Sequence, residues 1–341
     1  MRKTSDWRDA TNARIAVGNE IGTTALGPAS NRAMTAPFNT DARIVEPPLA
    51  QGHGCRCALH ARRGFAALLG AGVLGIGGVP LVRAQTLEPM AECKRSGFTK
   101  VISAEQIEQS AGQQYRQMLQ QASGKGAVAP SDHPQVVRLR AIAARIVPFT
   151  EGCNPRARDW RWEVNLIGSK QLNAFCMPGG KIAFYYGILA QLQLDDDEVA
   201  MIMGHEIGHA LLEHARERVG KTTVTQVGAS ALSALLGLGA LGDAVVRGSA
   251  DLLTLKFSRE DESEADALGL RLAARAGYNP RAGITLWQKM LSANKGAPPQ
   301  WLSTHPSGAT RINDIEARLP RIEPEYQRAA KPTQRFTPPK A

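Results

Sequence analysis

The sequence predicts an α+β fold, mainly helical, with one small sheet bordering a cleft, and three observations carry that expectation. Long segments repeat apolar residues every three or four positions, the spacing that lines one face of a helix. Residues 160–167 and 175–186 are instead short runs rich in aromatic and branched apolar side chains, the second broken by a Pro178-Gly179-Gly180 turn. Between them and the C-terminus lies an apolar, helix-forming segment that contains His205-Glu206-Ile207-Gly208-His209, two imidazoles and a carboxylate that a core helix does not need. At 341 residues, 43% hydrophobic and 21% charged, the chain is long enough to bury a core in one large domain or two small ones.

Residues 1–54 are polar and without periodicity, and they read as a disordered leader or as an over-long start, since Met34 also offers an initiation site. His60-Ala61-Arg62-Arg63-Gly64-Phe65 then opens an uncharged run that reaches Val82, and Val82-Arg83-Ala84 places small residues at the −3 and −1 positions of a cleavage site before Gln85. A basic segment, an apolar segment and such an end form a secretory signal. The paired arginines resemble a twin-arginine export signal, and a general secretory signal fits as well. Either route leads to the periplasm, where Cys93, Cys153 and Cys176 can form one disulfide and leave one thiol over. Residues 1–84 are thus expected to be leader and export signal, residues 85–319 the functional domain, and the basic, proline-rich residues 320–341 a disordered tail.

Within the domain, residues 103–122 predict a helix capped by Ser103, with Gln106 at the capping-box position, and residues 132–147 predict a second. The two strands follow. Gly187 begins a further helix, and Asp195-Asp196-Asp197-Glu198 supplies the acidic N-terminus of the His-Glu helix, expected to run to about Val219 and to stop at Gly220. The uncharged stretch from Thr222 to Gly242 predicts a buried helical pair and also permits peripheral contact with a membrane.

The chemistry resides in the His-Glu helix. At about 100° per residue, His205 and His209 lie about 40° apart on one face, one turn above each other. A single Zn²⁺ can take both imidazoles at about 2.0–2.1 Å each. Glu206, beside the pair, is placed to take a proton from a water on the metal. A catalytic zinc needs a third protein ligand and one open position. His214, five residues past His209, is turned about 140° off that face on a continuous helix and so points elsewhere. The acidic stretch Ser258-Arg259-Glu260-Asp261-Glu262-Ser263-Glu264-Ala265-Asp266 is the better source, with Glu262 and Asp266 sharing a face. Spacing by itself leaves Glu260, Glu262 and Glu264 all open as the ligand.

The chain resembles the gluzincin-type zinc metallopeptidases that include the CAAX prenyl endopeptidases and the HtpX-like membrane proteases. Four ordered motifs carry the resemblance, over about residues 103–319. They are His-Glu-x-x-His with Glu262-Ser263-Glu264-Ala265-Asp266; Asn173-Ala174-Phe175 with Pro178-Gly179-Gly180-Lys181-Ile182; Ala276-Gly277-Tyr278-Asn279-Pro280; and Ser303-Thr304-His305-Pro306 with Arg311. The resemblance implies one Zn²⁺ per chain held by His205, His209 and Glu262, with Asp266 orienting a ligand imidazole and Glu206 as general base. It further implies that Asn173, Ala174 and Phe175 lie on an edge strand that pairs with substrate backbone, and that His305 and Arg311 lie over the cleft and help hold the oxyanion. The chain lacks the several strong membrane spans of the embedded members and is closer to the soluble periplasmic ones.

The function expected is a zinc endopeptidase acting on extended or misfolded proteins of the cell envelope. A chaperone or assembly factor for outer-membrane proteins, gripping them in the same groove, is the rival, and an intact Glu206 argues against it because binding needs no base. The net charge of +10 is uneven: residues 1–84 hold ten Lys/Arg against five Asp/Glu, which leaves 31 against 26 for the remainder, or +5. A body so mildly basic, without aromatics interleaved in a basic stripe, points away from nucleic acid. Cys176 beside the expected edge strand reads as a small buried apolar residue, or as a thiol able to block the metal.

Overall fold

A computed structural model describes residues 93–235, 251–293, 300–305 and 310–340, with side chains left out of account for 226–235. The leader, the export signal and the last third of the Thr222-to-Gly242 stretch lie outside the described residues, as does Pro306. Among the described residues no helix is long and apolar enough to cross a membrane.

Among the described residues the architecture is the expected one of helices around a single small sheet. Helix α1 (Ala104–Gly124) starts from the Ser103/Gln106 capping box, both arms of which form, and α2 (Pro134–Ile146) starts from His133, whose ring nitrogen accepts the Gln135 N–H. Strands β1 (Glu163–Ile167), β2 (Ala174–Met177) and β3 (Lys181–Tyr185) form a sheet of order β1-β3-β2. β3 runs parallel to β1 and antiparallel to β2, with Val164 opposite Ile182 and Phe175 opposite Ala183. The apolar run of residues 175–186 is therefore a hairpin, turned at Gly179 and Gly180, whose φ angles of 82° and 73° suit a residue without Cβ. Among the described residues β2 has a neighbour on one side only and is, like β1, an edge strand.

Helix α3 (Tyr186–Gln191) leads to α4 (Asp196–Leu211), which carries His205, Glu206 and His209 and begins at an Asp195/Glu198 capping box. Every residue of α4 except Asp197 is buried, because the helix threads between the sheet and the helices that follow. α5 (His214–Leu235), α6 (Arg259–Arg275), α7 (Ala282–Ala293), α8 (Gln300–Thr304) and α9 (Thr310–Arg328) complete the chain order. The main core joins α2, α4, α6, α7 and the inner sheet face; a smaller cluster under α1 joins Ile107, Tyr115, Met177 and Ala183.

Two expectations are corrected here. The His-Glu helix does not continue to Gly220. It stops at Leu211, Glu213 takes a positive φ of 62°, and the chain re-enters a helix at His214. Gly220 lies inside α5, where a Cβ would meet the Phe98 carbonyl oxygen at 2.3 Å, so it marks a close approach and not an end. Residues 320–340 are also not a disordered tail. α9 continues through Pro320 and Pro324 to Arg328, with Glu325 paired to both Arg271 and Arg275 of α6. The stretch after it is held by side chains from elsewhere in the fold: the Phe336 N–H donates to Asp196 at 2.8 Å and the Thr337 carbonyl accepts from Gln135 at 3.0 Å. Its polar composition resembled disorder, but its backbone groups have buried partners. Cys93 and Cys153 form a disulfide, leaving Cys176 as the free, buried thiol among the described residues.

Candidate active site

The site is built where α4 crosses α6 at very short range. A Cβ on Gly269 would fall 2.5 Å from the His205 backbone nitrogen, and one on Gly204 would fall 2.6 Å from the Gly269 carbonyl oxygen. Side chains larger than hydrogen would hold the helices apart at this point. The contact brings Glu262 and Asp266, successive turns of one α6 face, against His205 and His209.

The ligand-type atoms converge. His205 Nε2 is 3.1 Å from His209 Nε2, and Glu262 carboxylate oxygens lie 3.5 Å and 3.4 Å from those two nitrogens. Tetrahedral coordination with bonds of about 2.0–2.1 Å separates ligand atoms by roughly 3.3 Å. The two nitrogens and the two carboxylate oxygens of Glu262 therefore lie at the spacing of ligand atoms around one metal ion. His305 joins the set, with Nδ1 3.0 Å from Glu262 and 3.3 Å from His205, and all four residues offer atoms within 4.8 Å of one another. Among the three acidic candidates on α6, only Glu262 reaches this point: Glu264 points to His214 at 3.3 Å, and Glu260 is exposed.

The electrostatics agree with the geometry. Burial pushes the His209 imidazole well below its ordinary pKa, assisted by its imidazole neighbours, so it is neutral and carries a lone pair. Burial alone would raise the Glu262 carboxyl, but His305 and His209 beside it hold it well below the carboxylate range. Asp266 behaves alike: desolvation raises it, and Arg311 and His205 more than offset that, so it stays ionised. Glu206, Glu262 and Asp266 are all buried with one buried guanidinium, Arg311. His305 differs from His209: burial works against its charged form, but the neighbouring Glu206 and Glu262 raise it above its ordinary pKa.

Glu206 lies beside the cluster, 3.5 Å from His305 Nε2, and its Oε1 accepts a 2.6 Å hydrogen bond from Trp301 Nε1. The Trp301 ring stacks on His305 with centroids 4.9 Å apart. Spacing gives no sign of Trp301, which is 95 residues away from Glu206; only the buried indole N–H, which requires an acceptor, hints at a polar partner. Asp266 Oδ1 accepts from His205 Nδ1 at 2.9 Å, which leaves His205 Nε2 to face the cluster.

A groove runs along the edge strand. Asn173, Ala174 and Phe175 line it on one side, and Glu206, His209, Phe257 and His305 line it on the other, with Cys176 in its wall. His305 thus borders the groove. Arg311 does not. Its guanidinium is 5% exposed, donates to both Asp266 oxygens at 2.7 and 2.6 Å and to Glu262 at 2.5 Å, and lies 3.9 Å over the Trp287 ring. Two carboxylates on one helix face draw the guanidinium behind the cluster, away from any oxyanion in the groove.

Comparison with known proteins agrees with this arrangement. The chain is 41% identical over 150 residues to the Mitochondrial metalloendopeptidase OMA1 of Arabidopsis thaliana, a match covering 44% of this chain and 30% of the relative. It therefore spans well under two thirds of that relative's length. With Metalloprotease LoiP of Escherichia coli it shares 27% identity over 212 residues, 60% of this chain and 78% of that one. With the Beta-barrel assembly-enhancing protease of Yersinia pestis it shares 26% over 169 residues, 47% and 35% of the respective chains. The profile of Peptidase family M48 matches residues 133–319, more than half of the chain. On that match, which spans the converging histidines and carboxylates, the chain belongs to Peptidase family M48.

Proposed function

We propose that this chain is a zinc-dependent endopeptidase that hydrolyses peptide bonds of extended or misfolded proteins in the cell envelope. The observation that carries the reading is the convergence of His205, His209 and Glu262 beside Glu206 in a groove whose other wall is an unpaired strand edge. Those three side chains would hold one Zn²⁺, which supplies Lewis-acid polarisation of the scissile carbonyl and lowers the pKa of water toward ~7. The free edge of β2 binds substrate backbone as an added strand along Asn173 to Phe175, with Ala174 between residues whose backbone pairs with β3 and its N–H released from the Asn173 side chain. Glu206 takes the proton from the attacking water and delivers it to the leaving amine. The Trp301 N–H fixes one Glu206 oxygen and leaves the other for the water. His305, bordering the groove, is placed to stabilise charge that develops on the substrate oxygen.

The Cys93–Cys153 disulfide supports an oxidising compartment, in keeping with the export signal. The name of the Yersinia relative, a protease that enhances β-barrel assembly, supports outer-membrane proteins as substrates.

The test is metal analysis combined with casein digestion, with and without chelator. About one Zn²⁺ per chain is expected, with cleavage abolished by chelator and restored by zinc. Glu206→Gln should keep the metal and lose ~10²–10⁴-fold in rate, the range for a positioned base. Wild-type cleavage by that variant would refute the mechanism. Export predicts a mature chain starting near Gln85 in the periplasmic fraction, and full-length protein in the cytosol would refute the location.

A further inference from the structure

The outer nitrogens of the two facing imidazoles have different partners. His205 Nδ1 meets the buried carboxylate of Asp266. His209 Nδ1 meets another imidazole, His214 Nδ1, at 2.8 Å, and the far nitrogen of that ring, His214 Nε2, lies 3.3 Å from Glu264 Oε2. His214 is 1% exposed, so its Nδ1, turned toward the buried His209, has no bulk water as an alternative partner. The break after α4 creates the arrangement. On a continuous helix His214 would face away from His209, but the positive-φ residue Glu213 reverses the chain and folds His214 back beneath it.

We propose that His214 is a positioning residue for His209, fixing its tautomer and ring plane through a proton-ordered chain that ends on Glu264. Two ring nitrogens 2.8 Å apart require one donor and one acceptor. His209 Nε2 points into the ligand triangle and needs its lone pair there, so the His209 proton sits on Nδ1 and donates to His214 Nδ1. His214 must then carry its own proton on Nε2. Among the described residues the group hydrogen-bonded to that nitrogen is the Glu264 carboxylate, which accepts. Both ends of the chain demand the same direction. Phe257, stacked on His209 with centroids 4.0 Å apart, fixes the remaining tilt. The carboxylate of Glu264 is 52% exposed, so water can replace it at modest loss, whereas nothing replaces the buried acceptor Nδ1 of His214.

The inference rests on the zinc reading above, and the experiment separates the two. Zinc affinity of the full exported chain is measured by competition with a chromogenic chelator for the wild type, His214→Phe and His214→Asn. Phe keeps the ring volume without an acceptor, and should weaken zinc binding about 10–100-fold, as loss of an orienting partner does. Asn places Oδ1 near the position of Nδ1 and should recover most of that loss. In zinc-loaded wild type, ¹⁵N shifts of the His214 ring should report a proton on Nε2 and none on Nδ1, which needs no variant to fold. A wild type that binds no zinc overturns both readings. A wild type that binds zinc while His214→Phe binds equally well, or His214→Asn no better than His214→Phe, or a His214 ring protonated on Nδ1, overturns the inference alone. A role in packing alone would lower the melting temperature of both metal-free variants without separating their zinc affinities.

Discussion

Replacing Gly269 by alanine tests whether the close crossing of α4 and α6 sets the spacing of the metal site. The added Cβ would fall 2.5 Å from the His205 nitrogen, 2.7 Å from the Gly204 carbonyl carbon and 2.8 Å from the His205 Cα. All three are backbone atoms, so no flexible side chain can move aside. Unstrained contacts between heavy atoms lie at about 3.5–4.0 Å, so the helices must part by roughly 1 Å. Overpacking of this kind costs about 1–3 kcal/mol, and for a domain of this size each 1 kcal/mol shifts the melting temperature by about 2–4 °C. A fall of roughly 2–12 °C is therefore expected in the metal-free protein. The same displacement separates Asp266 from His205, now 2.9 Å apart, and draws Glu262 from both imidazoles. A 1 Å misplacement of catalytic groups costs about 10²-fold in rate, and zinc affinity should fall with it. Gly124→Ala is the control, because a Cβ there, at the end of α1, meets nothing within 4 Å. Circular dichroism melting, zinc competition and casein cleavage read the outcome. If Gly269→Ala melts and binds zinc like the wild type, the crossing does not determine the ligand spacing.

Three further outcomes follow from the same contacts. In a zinc-buffer titration Glu262→Ala should lose metal almost completely, Asp266→Ala about 10–100-fold as an orienting partner, and Glu264→Ala least; metal loss by Glu264→Ala with retention by Glu262→Ala would show that the wrong carboxylate has been assigned. Arg311→Leu leaves Asp266 and Glu262 buried without their cation and should destabilise the fold by about 3–5 kcal/mol; Arg311→Lys should rescue only part of this because a lysine cannot make the forked contacts, and a leucine variant as stable as the wild type would refute that role. Burial, and next the nearby Glu206, push the Cys176 thiol well above its ordinary pKa, so it should resist iodoacetamide near pH 8 in the native protein and react after denaturation; rapid native labelling would show a thiolate open to the groove.

Much of the site was legible because its determinants are local. His205 and His209 are one turn apart, and a helix of any context places them on one face. The Ser103 capping box is likewise set by residues three apart. What spacing left open was settled by contacts between distant segments. Glu260, Glu262 and Glu264 are equivalent as letters, and only the contact with α4 selects Glu262. The resemblance implied Arg311 over the cleft, but two carboxylates 45 and 49 residues away hold it inside, behind the cluster. The C-terminal segment looked disordered for a similar reason: its composition is polar, and its partners Gln135 and Asp196 lie 202 and 140 residues away.

The break in α4 escaped sequence reading because no glycine marks it; Glu213 takes the positive φ that glycine usually supplies. Its position has a consequence for the site as a whole. Had the helix continued, His214 would face away from His209, and that imidazole would have no partner on its outer nitrogen. The crossing at Gly269 braces His205 through Asp266 and Arg311, and the reversal at Glu213 braces His209 through His214. None of Asp266, Arg311 or His214 lines the groove, whereas Glu206, His209 and His305 do. Orientation is thus supplied from behind the imidazoles, and the face toward β2 is left to the base and to an incoming backbone. A mutation behind the cluster should therefore change metal affinity before it changes substrate preference, and one along Asn173 to Phe175 should do the reverse. Equal effects of both classes on both quantities would show that the two sides of the site are not separable.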